Sequence, residues 1–189
     1  MKQENRREEI ILTAAKLFKE KGYSAVTMRD LATELGIKAA SLYNHISSKQ
    51  DILKSIIISL AEAFTQGMSD IKSSNESAIN KLKKIVVLHV QITAQNTYGM
   101  ASLNNDWMHL ENQLDYYLQL RKSYERDFLE IIKTGIKSNE IIDSNPEIVM
   151  FSILSTLRSL YLWIPKKDEL NREQLSIELS EVLINGINK

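Results

Sequence analysis

The chain has no cysteine, and its 189 residues include only two prolines and six glycines. Without cysteine there can be no disulfide, no thiolate metal site and no thiol nucleophile, a pattern that suits a reducing cytosol. Glycine and proline together make up eight of 189 residues, far below the roughly 12% of an average protein. That scarcity excludes a many-turned β-sandwich, a collagen-like chain and a Pro/Gly-rich disordered one. Histidine is scarce too: His45, His89 and His109 are the full set. None follows a glutamate by three residues, and the sequence has no His-Glu-x-x-His, Gly-x-Ser-x-Gly or glycine-rich phosphate loop. No residue is therefore read as catalytic or metal-ligating, and no cofactor is expected. The first twenty residues lack an apolar signal core. The stretch Ile52 to Leu60, read as the most apolar, is interrupted by Lys54 and too short to cross a bilayer. The expectation is a soluble cytoplasmic protein with no membrane partner.

Apolar residues make up 43% of the chain, enough for a substantial core, and their spacing is helical from end to end. A first helix is predicted over about Asn5 to Lys21, ended by Gly22. A second runs from Met28 to Leu35, with Thr27 as N-cap and Asp30 completing a capping box; Gly36 stops it. A short third helix covers about Ala39 to His45. Ser48 caps a fourth, which reaches about Lys72, and a fifth follows to about Gln95. Thr97 to Asn105 is ambiguous. A long helix is expected over about Asn112 to Lys137, with Arg121–Glu125 and Arg126–Glu130 pairs at i,i+4. Asn145-Pro146-Glu147 opens another, as N-cap, proline at N1 and acid at N2, ending near Trp163 because of Pro165. Asn171 caps the last helix, which fades at Gly186. The fold class is all-α, with no strand: an N-terminal three-helix helix-turn-helix domain over 1–48 and a helical ligand-binding and dimerisation domain over 49–189.

Charge is uneven along the chain. Residues 1–54 carry ten Lys/Arg and seven Asp/Glu, net +3, while the remainder carries fourteen and seventeen, net −3. A mildly basic head on an acidic body is one signature of nucleic-acid binding. Residues 27–46 add a helix-turn-helix spacing. Leu31 and Leu35 face a core, Ala32 is small enough for close helix approach, and Gly36 makes the turn. Ile37 and Leu42 return to the same core. The second helix of such a pair can enter a major groove.

These residues resemble a known family. Arg7, Ile10, Ala14-Ala15, Leu17-Phe18, Gly22-Tyr23, Thr27, Leu31-Ala32, Leu35-Gly36-Ile37, Leu42-Tyr43, His45, Ser48-Lys49 and Leu53 look like the DNA-binding domain of TetR-type transcriptional regulators. Two departures stand out: Lys38 replaces a capping Ser or Thr, and Ile46 replaces the usual Phe. The resemblance implies a homodimer on palindromic operator DNA, released by a small hydrophobic effector, with a repressor as the main expectation. It implies DNA contacts from Thr27, Arg29, Lys38, Ala39, Ser41, Tyr43, Asn44, His45 and Lys49, through phosphate oxygens and base edges. The alternative is a helical small-molecule-binding or protein-interaction module that does not bind an operator.

The Pro146–Trp163 segment is apolar nearly all round, so something must cover every side. In TetR-type proteins the last two long helices build a four-helix dimer interface, which here implies Phe151, Ser155, Leu157, Ser159, Leu179 and Leu183. The line of Ser152, Ser155 and Ser159 would equally serve a neighbouring helix of the same subunit. Tyr98, Met100, Trp107, Tyr117, Tyr124, Phe128 and Tyr161 are the candidate ligand-pocket residues, since Met and aromatic side chains line adaptable apolar sites. Core packing is the other use for each of them, and His89 is either a core histidine or a pocket donor. Trp107 to Leu110, the Leu120–Glu125 run, Gly135, Asn145-Pro146 and Trp163 also resemble an acyl-CoA-responsive branch, with Asn139 where a glycine is usual. Arg121, Lys122 and Arg158 would be its phosphate-binding cations.

Overall fold

The computed structural model describes residues 2–167, 171–185 and 187. The described helices are α1 (Lys2–Lys21), α2 (Met28–Glu34), α3 (Ala39–Leu42), α4 (Lys49–Ser73), α5 (Ala78–Gln95), α6 (Thr97–Asn105), α7 (Leu114–Lys137), α8 (Pro146–Trp163) and α9 (Arg172–Asn185). There is no strand among the described residues, so the all-α reading holds.

The helix boundaries follow from local hydrogen bonds. Thr27 accepts from the Asp30 amide at 3.2 Å, and the Asp30 carboxylate accepts from the Thr27 amide at 2.8 Å, which satisfies two of α2's unpaired donors. Gly36, at φ 63, lets the chain turn while Ile37 N–H reaches back to the Ala32 carbonyl. Ser48 caps α4 through the Asp51 amide, but the returning arm goes elsewhere: Asp51 accepts from the Ser47 amide and hydroxyl. Asn145 accepts from Glu147 N–H at the start of α8, and Asn171 accepts from Glu173 and Gln174 N–H at the start of α9. Pro165 lies in a 3₁₀ turn directly after α8. The expected fading at Gly186 lies outside the described residues. The ambiguous segment 97–105 is a helix.

The chain divides into two compact units, and the boundary differs from the 48/49 division expected above. The head unit takes residues up to Ala61 together with Asn96–Leu118; the body unit takes Glu62–Gln95 and Gln119–Lys189. Two physical facts move the boundary. α4 is one uninterrupted helix, so no linker follows residue 48, and α6 packs along α1 within the head.

In the head, Ile10, Ala14, Leu17 and Phe18 of α1 are buried with Leu31, Leu42, Ile46, Ile52 and Leu53. Ile46, the departure from Phe, is only 1% exposed and serves as a core residue. In the body, α5 packs against both α8 and α9. α9 approaches with Ser176 and Ser180 buried and Ile184 fully covered. Gly135 of α7 sits where a Cβ would lie 2.6 Å from Ala78 Cβ and 2.5 Å from Ile141 Cδ1, so only glycine fits. Asn139 ends α7 at φ 64, where Glu140 and Ile141 N–H both reach the Gly135 carbonyl. That left-handed position explains a preference for glycine there, and asparagine is the side chain that best tolerates it.

Candidate nucleic-acid interface and body faces

α3 is a single turn, shorter than the predicted 39–45 helix. Asn44 N–H bonds Ser41 O and His45 N–H bonds Leu42 O, an i to i+3 pattern that tightens the end of the helix. Leu42 anchors it in the core. Around it Arg29, Lys38, Ala40, Ser41, Tyr43 and Asn44 are exposed, Tyr43 at 54%; Ala39 and His45 are half-buried. The side chains of Arg29, Lys38, Tyr43 and Asn44 are not engaged by other side chains among the described residues.

Two expected phosphate-binding residues are used differently. The Thr27 hydroxyl donates to Asp30 at 2.6 Å, so its hydrogen closes the capping box instead of pointing outward. That same bond, with the Thr27 amide, holds the Asp30 carboxyl below its usual range. The Lys49 ammonium donates to the Tyr23 carbonyl at 2.9 Å and the Val26 carbonyl at 2.8 Å, and lies 4.3 Å from the Tyr23 ring centroid. Two of its three hydrogens are thus spent on the chain entering α2, and burial pushes its pKa down. No motif in the sequence announced this, because the two carbonyls belong to the backbone.

Tyr23 continues the network. Its hydroxyl donates to Gln50 Oε1 at 2.6 Å, Gln50 Nε2 donates to the His109 carbonyl, and the Tyr23 and His109 rings stack at 5.2 Å. The 3₁₀ turn at Trp107–His109 is thereby tied to the start of α4 inside the head unit.

The seven candidate pocket residues divide between the units. Tyr98, Met100, Trp107 and Tyr117 belong to the head unit, where Trp107 stacks on Tyr117 and Met100 is 1% exposed. Tyr124, Phe128 and Tyr161 belong to the body and are buried there. His89 joins the body group: its Nε2 lies 2.7 Å from Tyr124 Oη, and Phe64 packs on its ring at 4.6 Å.

The charged residues of α7 also differ from expectation. Arg121–Glu125 forms, at 3.1 Å, but Glu125 is shared with Arg158 of α8 at 2.9 Å. Burial alone would raise the Glu125 carboxyl; hydrogen bonds from Arg158 and Arg121 hold it below its ordinary value. Arg126 does not pair with Glu130. It bonds Asp127 and Ser123, while Glu130 takes Lys72 at 2.7 Å. The i,i+4 rule fails here because Lys72, on α4, offers Glu130 a closer cation. Of the three proposed phosphate cations, Arg121 and Arg158 are committed to Glu125 and Lys122 is exposed.

The outer face of the last two helices is apolar. Ile148, Phe151, Leu162 and Trp163 of α8 and Ile177 and Val182 of α9 are exposed, Phe151 at 70% and Val182 at 76%. Ser155 and Ser159 lie on this exposed side and line a groove of about 560 Å³ with Trp163, Leu175 and Leu179. Leu179 and Leu183 are half-buried. Leu157 is different: at 0% exposure it points into its own subunit's core, so it is removed from the candidate interface. The serine line is therefore not covered by a helix of the same chain. Pro146–Lys166 is also long and apolar enough, by length and composition, to cross a bilayer. The expectation that placed the most apolar stretch at Ile52–Leu60 overlooked it. It carries Glu147 in its first turn, its mid-helix Arg158 is held by Glu125, and α8 packs on α5. Among the described residues no group of three His, Cys, Asp or Glu could hold a metal.

Comparison with known proteins covers both parts of the chain. The family model described as "Bacterial regulatory proteins, tetR family" matches residues 10–56. The one described as "Tetracyclin repressor-like, C-terminal domain" matches residues 75–187. The HTH-type transcriptional repressor KstR2 of Mycobacterium tuberculosis is 22% identical over 188 residues, covering 98% of this chain and 94% of that protein. Its solved structure superposes with a TM-score of 0.89 over 97% of this chain and 95% of that one. The HTH-type transcriptional regulator YvaF of Bacillus subtilis is 27% identical over 187 residues, covering 94% of this chain and 93% of that protein. AibR, solved in complex with isovaleryl coenzyme A and operator DNA, is 20% identical with a TM-score of 0.75, covering 95% of this chain and 98% of that one.

Proposed function

The chain belongs to the TetR family of bacterial transcriptional regulators, and from that premise we propose that it is a cytoplasmic homodimeric repressor of a palindromic operator, released by a small hydrophobic effector. A DNA-binding, ligand-responsive regulator is the coarser statement common to its relatives. The observation that carries the finer reading is the set of unengaged side chains around α3. Lys38, Ser41, Tyr43 and Asn44 stand exposed beside a helix too short to do anything but present them, with Arg29 nearby on α2. Their neighbours Thr27 and Lys49 spend their hydrogens holding that presentation rigid. Tyr43 and Asn44 then reach phosphates or base edges, and Lys49 acts by positioning the segment before α2.

Dimerisation is supported by the uncovered apolar face of α8 and α9, on which Val182 and Phe151 are the most exposed large hydrophobic residues. Two recognition helices must lie about 34–36 Å apart, or at a compatible multiple, to enter successive major grooves. An effector that binds the body better in a different head spacing lowers operator affinity by its differential affinity.

The test is selection of duplexes from random DNA, followed by fluorescence anisotropy against salt. A specific site is expected to weaken with a slope of about 0.9 per phosphate contact. Tyr43→Phe and Asn44→Ala should each weaken it without lowering the melting temperature. If no duplex is enriched, the regulator reading gives way to a helical binding module without an operator. Native mass spectrometry of freshly purified protein reads the subunit number and the class of any retained effector.

A further inference from the structure

The body holds a buried polar pair that neither DNA binding nor dimerisation uses. His89 of α5 is 4% exposed, and its Nε2 lies 2.7 Å from the hydroxyl of Tyr124 on α7. Its other ring nitrogen, Nδ1, is sealed from solvent and has no hydrogen-bond partner among the described residues. Phe64 covers the ring face at 4.6 Å and meets the Tyr124 ring edge-on at 6.2 Å; Phe128 packs edge-on against the far side of Tyr124.

Both tautomers make one hydrogen bond across the pair. With the ring proton on Nε2, the ring donates to the Tyr124 oxygen and the phenolic hydrogen is left without an acceptor; with it on Nδ1, Tyr124 donates to Nε2 and the Nδ1–H is left without one. In either case Nδ1 is buried without a partner.

We propose that Tyr124 donates to Nε2 and so places the ring proton on Nδ1, and that this Nδ1–H of His89 is the recognition point for a carbonyl oxygen on an apolar effector, with Tyr124 as the positioning residue that fixes the tautomer. This rests on the regulator reading above and adds what the effector must carry. Burial holds His89 neutral, with its pKa pushed down to about 3 and Arg158's charge adding to the effect, so the ring donates as a neutral group. Burial likewise pushes the Tyr124 hydroxyl up, so it stays protonated. The nearby cations Arg158 and Arg121 are already bonded to Glu125, so no free charge is needed for the contact. The closed body leaves the donor unpaired. Nδ1 is sealed from solvent, so an entering acceptor reaches it only if the packing around it opens; such a ligand favours the opened form, and a hydrocarbon of the same length gains nothing at this point. That difference is what a ligand must have to shift a conformational equilibrium.

The test uses the full-length protein labelled with [15N]histidine, whose three imidazoles give separable long-range 1H–15N spectra. His89→Phe assigns the resonance, and if that variant does not fold, His45→Asn and His109→Asn assign it by elimination. In the free protein the proton is expected on Nδ1; a proton on Nε2 overturns the proposal without any ligand. The probes are 2-nonanone, octanoate and nonane. The ketone should shift His89 Nδ1 and bind at least tenfold more tightly than nonane, and Tyr124→Phe should reduce that ratio toward one. Octanoate outcompeting the ketone assigns the carbonyl to a free acid; the reverse assigns it to a ketone, ester or thioester. Equal ketone and alkane affinity, or three probes that leave His89 unmoved, overturn it. Operator binding measured on the same sample separates the two failures: a protein that binds the operator while His89 ignores all probes retains the regulator reading and loses this one.

Discussion

The head and the body treat their exposed surfaces in opposite ways. In the head, polar side chains close on one another or on the backbone: Thr27 with Asp30, Lys49 with two carbonyls, Tyr23 with Gln50. What stays open there is a polar set around α3, while the exposed apolar residues Leu12, Tyr98, Met108 and Tyr116 are spread over four separate elements. In the body, the open surface is apolar, with Phe151, Ile148, Ile177 and Val182 standing in water on the outer sides of α8 and α9. Exposed polar groups cost nothing in water and can wait for a charged partner. Large apolar groups in a cluster mark a surface that is complete only when covered. The proposed dimer would cover this apolar cluster of the body.

The sharpest way to break that contrast is Phe151→Glu combined with Val182→Glu. The pair should convert a dimer to a folded monomer, seen by light scattering with an unchanged helical circular dichroism signal; an intact dimer would remove this face from the interface. Leu157 would be a poor choice, because a charge there unfolds the subunit itself. Next in size is Gly135→Val. Its branches must enter space held by Ala78 and Ile141, and the body should lose about 3 kcal/mol in a denaturant titration.

Acid tests the body's interior. His89 has a folded pKa of about 3, below its unfolded value near 6.5. The unfolded chain therefore binds a proton first as pH falls, so the buried neutral ring favours folding fully above pH 6.5 and progressively less below it. Between pH 6.5 and 5 the loss should approach about 2 kcal/mol, and His89→Phe should flatten that slope. An identical slope in the variant would mean the imidazole is accessible to protons. In the head, Lys49→Met keeps the stem and removes two hydrogen bonds, leaving the Tyr23 and Val26 carbonyls unserved. It should cost about 1–3 kcal/mol of stability and weaken operator binding through the displaced α2. If operator affinity falls while stability is untouched, Lys49 is a direct phosphate contact after all. The smallest effect is Asn139→Gly, which should change stability by less than about 1 kcal/mol, with a rise in melting temperature expected because its φ of 64 relaxes in glycine.

How much was legible in the sequence varied with range. The capping box at Thr27, the Asn145 and Asn171 caps, Gly36 and Asn145-Pro146 each act through bonds within five residues, and the structure reproduces them. The head motif was legible because its residues are contiguous. Arg126, by contrast, was expected to take Glu130, and Lys72 took it from another helix. The seven aromatic and Met residues were grouped by sequence proximity, and they fall into two units because α7 runs through both. Segment 96–118 joining the head was not visible, since nothing local says which helix α6 lies against.

By itself the sequence determined the helical class, most helix ends and the family, all of which depend on neighbours along the chain or on contiguous motifs. Tertiary structure decided which side of an all-apolar helix is covered, turning Leu157 inward and Phe151 outward. It also decided that Lys49 serves backbone carbonyls and that His89 meets Tyr124, thirty-five residues away. The reason is the same in each case: these choices depend on which distant groups arrive alongside, and a helix carries no local signal of its future neighbours.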